Sequence, residues 1–255
     1  MLKPMIYELN REDMTDKRWG IYIDIEGFGK RYDQTMEALH PLNALMEGIF
    51  LIGTKKYNDD VNRLFAHQFG DGFVIVSCFE EESLDRPISI AIALMRHVLA
   101  SGGVAKASIA EGGFSDIRGC YPRKITDLEK DGRIFIGSGL MTIIPVMGTA
   151  LINAVGLDKR SPSGSLLTID EDNKNRVSSE FYTRAIENEL ISVNWIKGDP
   201  KLVTEICSSA ELRNPSEESR MDQLATYIRN NELKPSWIRT TCFEQGVTIY
   251  QGRKT

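Results

Sequence analysis

The sequence predicts an α+β domain on a ferredoxin-like βαββαβ plan, with an antiparallel-rich sheet and a mostly helical C-terminal extension. Three observations carry this reading. Residues 19–25 (WGIYIDI) are β-branched and aromatic with glycines following, the pattern of a core strand leaving through a tight loop. Two short apolar runs, 64–69 and 73–78, flank Gly70-Asp71-Gly72, a turn sequence that favours a β-hairpin. Between and after them, apolar residues recur at three- and four-residue intervals through 30–52, the spacing of an amphipathic helix, and 88–99 (ISIAIALMRHVL) reads as a second helix.

Taken in order, the first strand places Asp24 near its end, and the first helix carries Tyr32, Met36, Leu39, Leu42, Leu45, Met46, Ile49 and Phe50, with Pro41 able to kink or divide it. The hairpin puts Asp71 at its tip. After the second helix, 105–110 followed by Glu111-Gly112-Gly113 reads as a strand and turn, and a polar connection runs through Lys130. Residues 133–147 read as the next strand region, Gly148 as a tight turn, 149–157 as a helix and 165–170 (SLLTID) as a last core strand. Beyond Glu180, short helical patterns alternate with strand-like pieces around Trp195 and Trp237, and Asn214-Pro215-Ser216 resembles a helix-start loop. The division expected is one domain over 1–180 and an extension over 181–255 that packs on it.

Composition excludes several classes. With 255 residues, 42% hydrophobic and 26% charged, the chain is long enough for a sizeable core. The net charge is −5 and the 31 Lys and Arg are scattered, so no nucleic-acid footprint is expected. Cys78, Cys120, Cys207 and Cys242 are far apart with no CxxC pair, which reads as reduced thiols in a cytoplasmic protein. No signal peptide is expected at the N-terminus. Residues 134–157 carry no charge over 24 positions, but Pro145, four glycines and Asn153 interrupt them, so strand, turn and helix fit better than a membrane span.

The chemistry begins with two aspartates. A βαββ order brings the end of the first strand beside the following hairpin, so Asp24 and Asp71 meet. Magnesium or manganese on a triphosphate takes hard oxygen ligands and only one or two protein carboxylates. Gly27 and Gly29 would let the backbone of Glu26-Gly27-Phe28-Gly29 approach a phosphate. Either aspartate alone also fits an ordinary strand end or turn.

Together, WGIYIDIEGFGKR and FAHQFGDGFVIVS resemble the catalytic domain of class III adenylyl and guanylyl cyclases. The resemblance extends more loosely through GVAKASIAEGG and PVMGTALINA, and covers roughly residues 19–170. It implies that Asp24 and Asp71 bind two divalent cations, Mn²⁺ or Mg²⁺, with the backbone carbonyl of Ile25. It implies that Glu26, Gly27, Phe28 and Gly29 wrap a nucleoside triphosphate, and that the sites form at a homodimer interface. Where purine cyclases carry a base-reading Lys or Glu, His67 stands four residues before Asp71; where they carry Asp or Cys, Pro145 stands three before Gly148. Asn153 matches the ribose-orienting asparagine with a one-residue shift, and Leu157 occupies the arginine position. A chain of this size with an altered purine reader looks like the pyrimidine cyclases of the bacterial Pycsar antiphage system, whose product acts on a separate effector. UTP is the substrate this implies. CTP, a purine triphosphate read by other residues, and a nucleotide-binding module without turnover remain alternatives.

Overall fold

The computed structural model describes residues 17–27, 39–116, 121–130, 132–143 and 146–249. Phe28, Gly29, the first part of the expected first helix, Cys120 and Pro145 lie outside them.

Strand β1 (Arg18–Ile25) shows why its sequence alternates: Trp19, Ile21, Ile23 and Ile25 are buried on one face, while Tyr22 and Asp24 point to the other. Helix α1 (Leu39–Leu51) contains Pro41 without being divided by it and runs into a π-helical turn, Ile52–Lys56. The hairpin follows as β2 (Leu64–Phe69) and β3 (Gly72–Glu80), then α2 (Asp85–Leu99) and β4 (Ala105–Gly112). These give the strand order β4-β1-β3-β2, every neighbouring pair antiparallel, which is the arrangement the βαββαβ reading requires.

Three further strands widen the sheet to seven. β9 (Leu167–Asp170) joins β4 in parallel, and β11 (Leu190–Val193) and β10 (Thr183–Ile186) continue it antiparallel. The crossover from β4 to β9 passes through the one-turn α3 (Arg123–Thr126) and then α4 (Thr149–Arg160), which lies on the face opposite α1 and α2. The last segment carries α5 (Lys201–Ser209), α6 (Glu217–Asn230) and α7 (Pro235–Gln245). Ser216 caps α6 through its side chain, as the Asn-Pro-Ser start signal implies, whereas Trp237 lies in a helix rather than a strand.

Helix α2 is apolar almost all round because it is covered on all sides: Ile88, Ile92 and Met95 share one core cluster with Trp19, Leu45, Ile109, Trp195 and Trp237. Arg96 is fully buried in it. Its guanidinium donates to the carbonyls of Trp195, Lys197 and Gly198 and pairs with Asp199 at 3.2 Å, and the equally buried Arg220 donates to Ile196, Gly198 and Pro215 carbonyls and pairs with Asp199 at 2.9 Å. Burying two guanidiniums is tolerable because carbonyls satisfy them, and the result is a clasp on the loop that follows β11.

Two expectations need correction. Residues 133–147 do carry strands, but none joins the main sheet: β6 (Arg133–Ile136) and β7 (Gly139–Thr142) make a separate two-stranded ribbon, and β8 (Val146–Met147) pairs with β5 (Ser115–Asp116). The Gly137-Ser138 turn closes the ribbon on itself, with Gly137 at φ 64°, before it can reach the sheet. Among the described residues no helix is long and apolar enough to cross a membrane.

Gly148 is not a turn either. Its backbone is extended, and it is required because the chain passes so close to the end of β4 that a Cβ there would stand 2.1 Å from the Gly113 carbonyl oxygen. Gly148→Ala should therefore cost about 3 kcal/mol by overpacking, read as a drop of roughly 6–12 °C in melting temperature.

Candidate active site

The register of the central strands assembles the site. Asp24 pairs across β1–β3 with Gly72 and across β1–β4 with Lys106, so Asp71, one residue before β3, stands beside Asp24 at the same end of the sheet. Gly70, at φ 64°, makes the left-handed turn that presents Asp71. A side chain at position 72 would meet the Tyr22 hydroxyl at 3.1 Å, so this hairpin end fits tightly over Tyr22.

Asp24 is mostly buried, and its Oδ1 has no hydrogen-bond donor among the described residues. Burial pushes its carboxyl up to about 7, and the negative charges of Asp71, Asp158 and Glu26 push the same way against a backbone hydrogen bond from Ile25. Tyr22 is raised as well, first by burial and then by Asp24, Asp158 and Asp71, so it remains a neutral hydroxyl among acids. Lys106, a cation beside Asp24 in the β1–β4 register, is engaged elsewhere: its ammonium lies 3.2 Å from Asp158 Oδ1 and donates to the Asp158 and Ser161 carbonyls at 3.0 and 3.4 Å.

Two crowded carboxylates with an unpaired buried oxygen are chemically suited to a hard divalent cation, which would remove the repulsion and complete the oxygen's coordination. Among the described residues no three or more His, Cys, Asp or Glu side chains gather into a self-sufficient metal cage. Two carboxylates that leave the remaining positions to phosphate and water are what a metal–triphosphate complex takes.

The other expected site residues are more dispersed. Ile25 ends β1 with its side chain in the core. Glu26 extends the β1–β4 ladder by one bond, from its N–H to the Val104 carbonyl at 3.0 Å, and its carboxylate accepts from the Trp237 indole at 2.6 Å. Burial raises the Glu26 carboxyl, and that indole bond opposes the shift. Gly27 turns the chain at φ 76°. His67 lies opposite Val74 on β2, half-buried, with its ring centroid 6.1 Å from that of Phe114. Burial lowers its pKa, so the imidazole is neutral near pH 7, and its Nε2 is buried without a hydrogen-bond partner. Asn153 is exposed on α4 and donates to the Glu111 carbonyl at 2.7 Å. Glu111 pairs with Trp19, at the opposite end of β1 from Asp24. Within one chain, therefore, Asn153 and the two aspartates are not brought together.

Sequence reasoning assigns no site role to Lys106, Asp158 or Tyr22, and marks Trp237 only as the centre of a strand-like piece. A lysine inside the apolar run AKASIA was a signal for the first. Asp158 reads as an ordinary helix-end charge.

No protein-family model matches the chain, and no curated protein matches it in sequence. Among solved structures it is similar to the non-canonical dimeric guanylyl cyclase domain of the RhoGC fusion protein from the aquatic fungus Blastocladiella emersonii, at 13% identity and a TM-score of 0.48 over 70% of this chain and 94% of that one. It is also similar to a class III adenylyl cyclase-like ATP-binding protein from Pseudomonas aeruginosa, at 13% identity and a TM-score of 0.42, covering 75% of this chain and 40% of that one.

Proposed function

We propose that this chain is a nucleotidyl cyclase of the class III kind, acting on UTP to release 3′,5′-cyclic UMP and pyrophosphate, with residues 1–180 as the catalytic domain and 181–255 as an extension packed on it. The observation that carries the reading is the placement of Asp24 near Asp71 at one sheet end, with Asp24 Oδ1 buried and short of a donor. In the reaction the ribose 3′-oxygen bonds to the α-phosphorus, the bond to pyrophosphate breaks, and the 3′-hydroxyl proton leaves.

Asp24, Asp71 and the Ile25 carbonyl would hold two Mn²⁺ or Mg²⁺ ions, which supply Lewis-acid stabilisation of phosphate charge and a lower pKa for the attacking hydroxyl. The backbone from Glu26 onward would wrap the phosphates. Lys106 offers the ammonium that phosphate oxygens can draw from Asp158. Asn153 would orient the ribose, and His67 would read the base, both supplied across a homodimer. The cyclic product would serve as an antiphage messenger for a separate effector.

A neutral imidazole presents to the base either its ring N–H, which suits a carbonyl on the uracil edge, or its bare nitrogen, which suits the uracil N–H, so one tautomer makes one direct hydrogen bond. His67→Ala should lower kcat/KM for the pyrimidine substrate by about 10-fold, the worth of one hydrogen bond in a site built for it, while purine turnover changes little. An unchanged pyrimidine-to-purine ratio would mean that the base is read elsewhere. The reading as a whole is tested by incubating the purified protein with Mn²⁺ and each of the four NTPs: cyclic UMP is the expected product, conversion of ATP or GTP alone would sink the pyrimidine assignment, and no product from any would sink the cyclase.

A further inference from the structure

We propose that the C-terminal segment is a brace on the metal-bearing end of β1, with Trp237 and Tyr227 as positioning residues for Asp24. The contacts are direct. Glu26, two residues after Asp24, is held at both of its acceptor groups: the Trp237 indole donates to its carboxylate at 2.6 Å, and the Tyr227 hydroxyl donates to its backbone carbonyl at 3.3 Å. The two donors come from α7 and α6, more than two hundred residues away in sequence. Both rings are buried, 6.3 Å apart between centroids, and belong to the core cluster that also contains Ile23 and Ile25.

The arrangement has a physical purpose. Strand ends fray because their last ladder bonds have no neighbours beyond them. Asp24 sits one residue before β1 ends, beside the hairpin that carries Asp71. Glu26 bears a carboxylate in a largely buried setting, a cost accepted only where a partner receives it. With both ends of Glu26 fixed, the backbone leaving the sheet has one exit direction, and the carboxylates on the strand are held before any ligand arrives. Such preorganisation lowers the ordering cost of binding.

The catalytic consequence rests on the cyclase reading, but the brace can be measured separately. Trp237→Phe keeps the ring and removes the donor; Tyr227→Phe removes only the hydroxyl. Trp195→Phe is the control, because it also deletes a buried indole bond, to the Ser165 carbonyl, and that bond does not itself reach Glu26. Relative to that control, Trp237→Phe is expected to raise the Mn²⁺ concentration for half-maximal activity about 10-fold and Tyr227→Phe about 3-fold, with kcat at saturating Mn²⁺ changed less than 2-fold. Hydrogen exchange of the amides at 24–27 should accelerate at least about 10-fold in Trp237→Phe and not in Trp195→Phe. If exchange and Mn²⁺ dependence in both variants match the control, the brace is overturned. If the exchange effect is present but wild type neither binds Mn²⁺ nor makes a cyclic nucleotide, the brace stands as structure, and the cyclase reading with its catalytic consequence falls.

Discussion

Asp24→Asn is expected to abolish cyclic-nucleotide formation, by at least about 10³-fold in kcat, while making the protein more stable at alkaline pH. The two effects have one cause. The Asp24 carboxyl titrates near 7 in the folded chain against an ordinary value of 3.8, so the folded state binds this proton more tightly than the unfolded one. Stability contributed by the protonated form is complete below about 4, falls as pH rises through the interval to 7, and is lost above it. Each pKa unit corresponds to about 1.4 kcal/mol, so the charge costs the fold a few kcal/mol at pH 8, discounted for its partial exposure. The asparagine has no charge to bury. Its melting temperature should match wild type near pH 4 and exceed it by roughly 4–8 °C at pH 8, by thermal unfolding without divalent metal. Mn²⁺ should raise the wild-type melting temperature at pH 8 and leave that of Asp24→Asn nearly unchanged. A variant less stable than wild type at both pH values would remove the repulsive cluster from the account, and one that keeps full turnover would remove Asp24 from the chemistry.

The central sheet was legible because its elements carry unambiguous local signals: the period-two pattern of residues 19–25, the Gly-Asp-Gly tip, and the long apolar run of α2. From these the pairing of Asp24 with Asp71 follows by topology alone. The separate β6–β7 ribbon was not legible, since an apolar run records a preference for strand without naming its partner. Gly148 misled for a related reason: a glycine needed for close approach to another backbone looks in sequence like a glycine needed for a turn. Lys106–Asp158 and Glu26–Trp237 are long-range pairs with no local pattern, and only the folded chain reveals that Asp158 lies near Asp24 or that the last helices reach back to the first strand.

A second large effect is expected at the ribbon. Phe135 is 79% exposed and pairs across the hairpin with Leu140, also exposed; Ile136 on the same ribbon and Ile152 on α4 are more than half exposed. Apolar side chains concentrated on a small ribbon suit the contact face of the proposed homodimer. On the proposed cyclase reading the site needs a partner: Asn153 bonds at Glu111, five residues along the β1 ladder from the Asp24 position, about 17 Å at strand rise, too far to serve the same nucleotide as Asp24. A second copy placed by a two-fold axis would bring its own Asn153 and His67 to the first copy's aspartates, giving two equivalent sites. Phe135→Asp should then yield a folded monomer with activity reduced at least about 100-fold, checked by sedimentation and a product assay, because desolvating a charge in an apolar contact is unfavourable. Mixing Asp24→Asn with Asn153→Ala, each inactive alone, should restore about a quarter of wild-type activity, since half of randomly exchanged dimers are mixed and each mixed dimer has one intact site. With Phe135→Asp added to both, that recovery should vanish. If the mixture stays inactive although the chains exchange, the residues act within one chain, and the composite site is wrong.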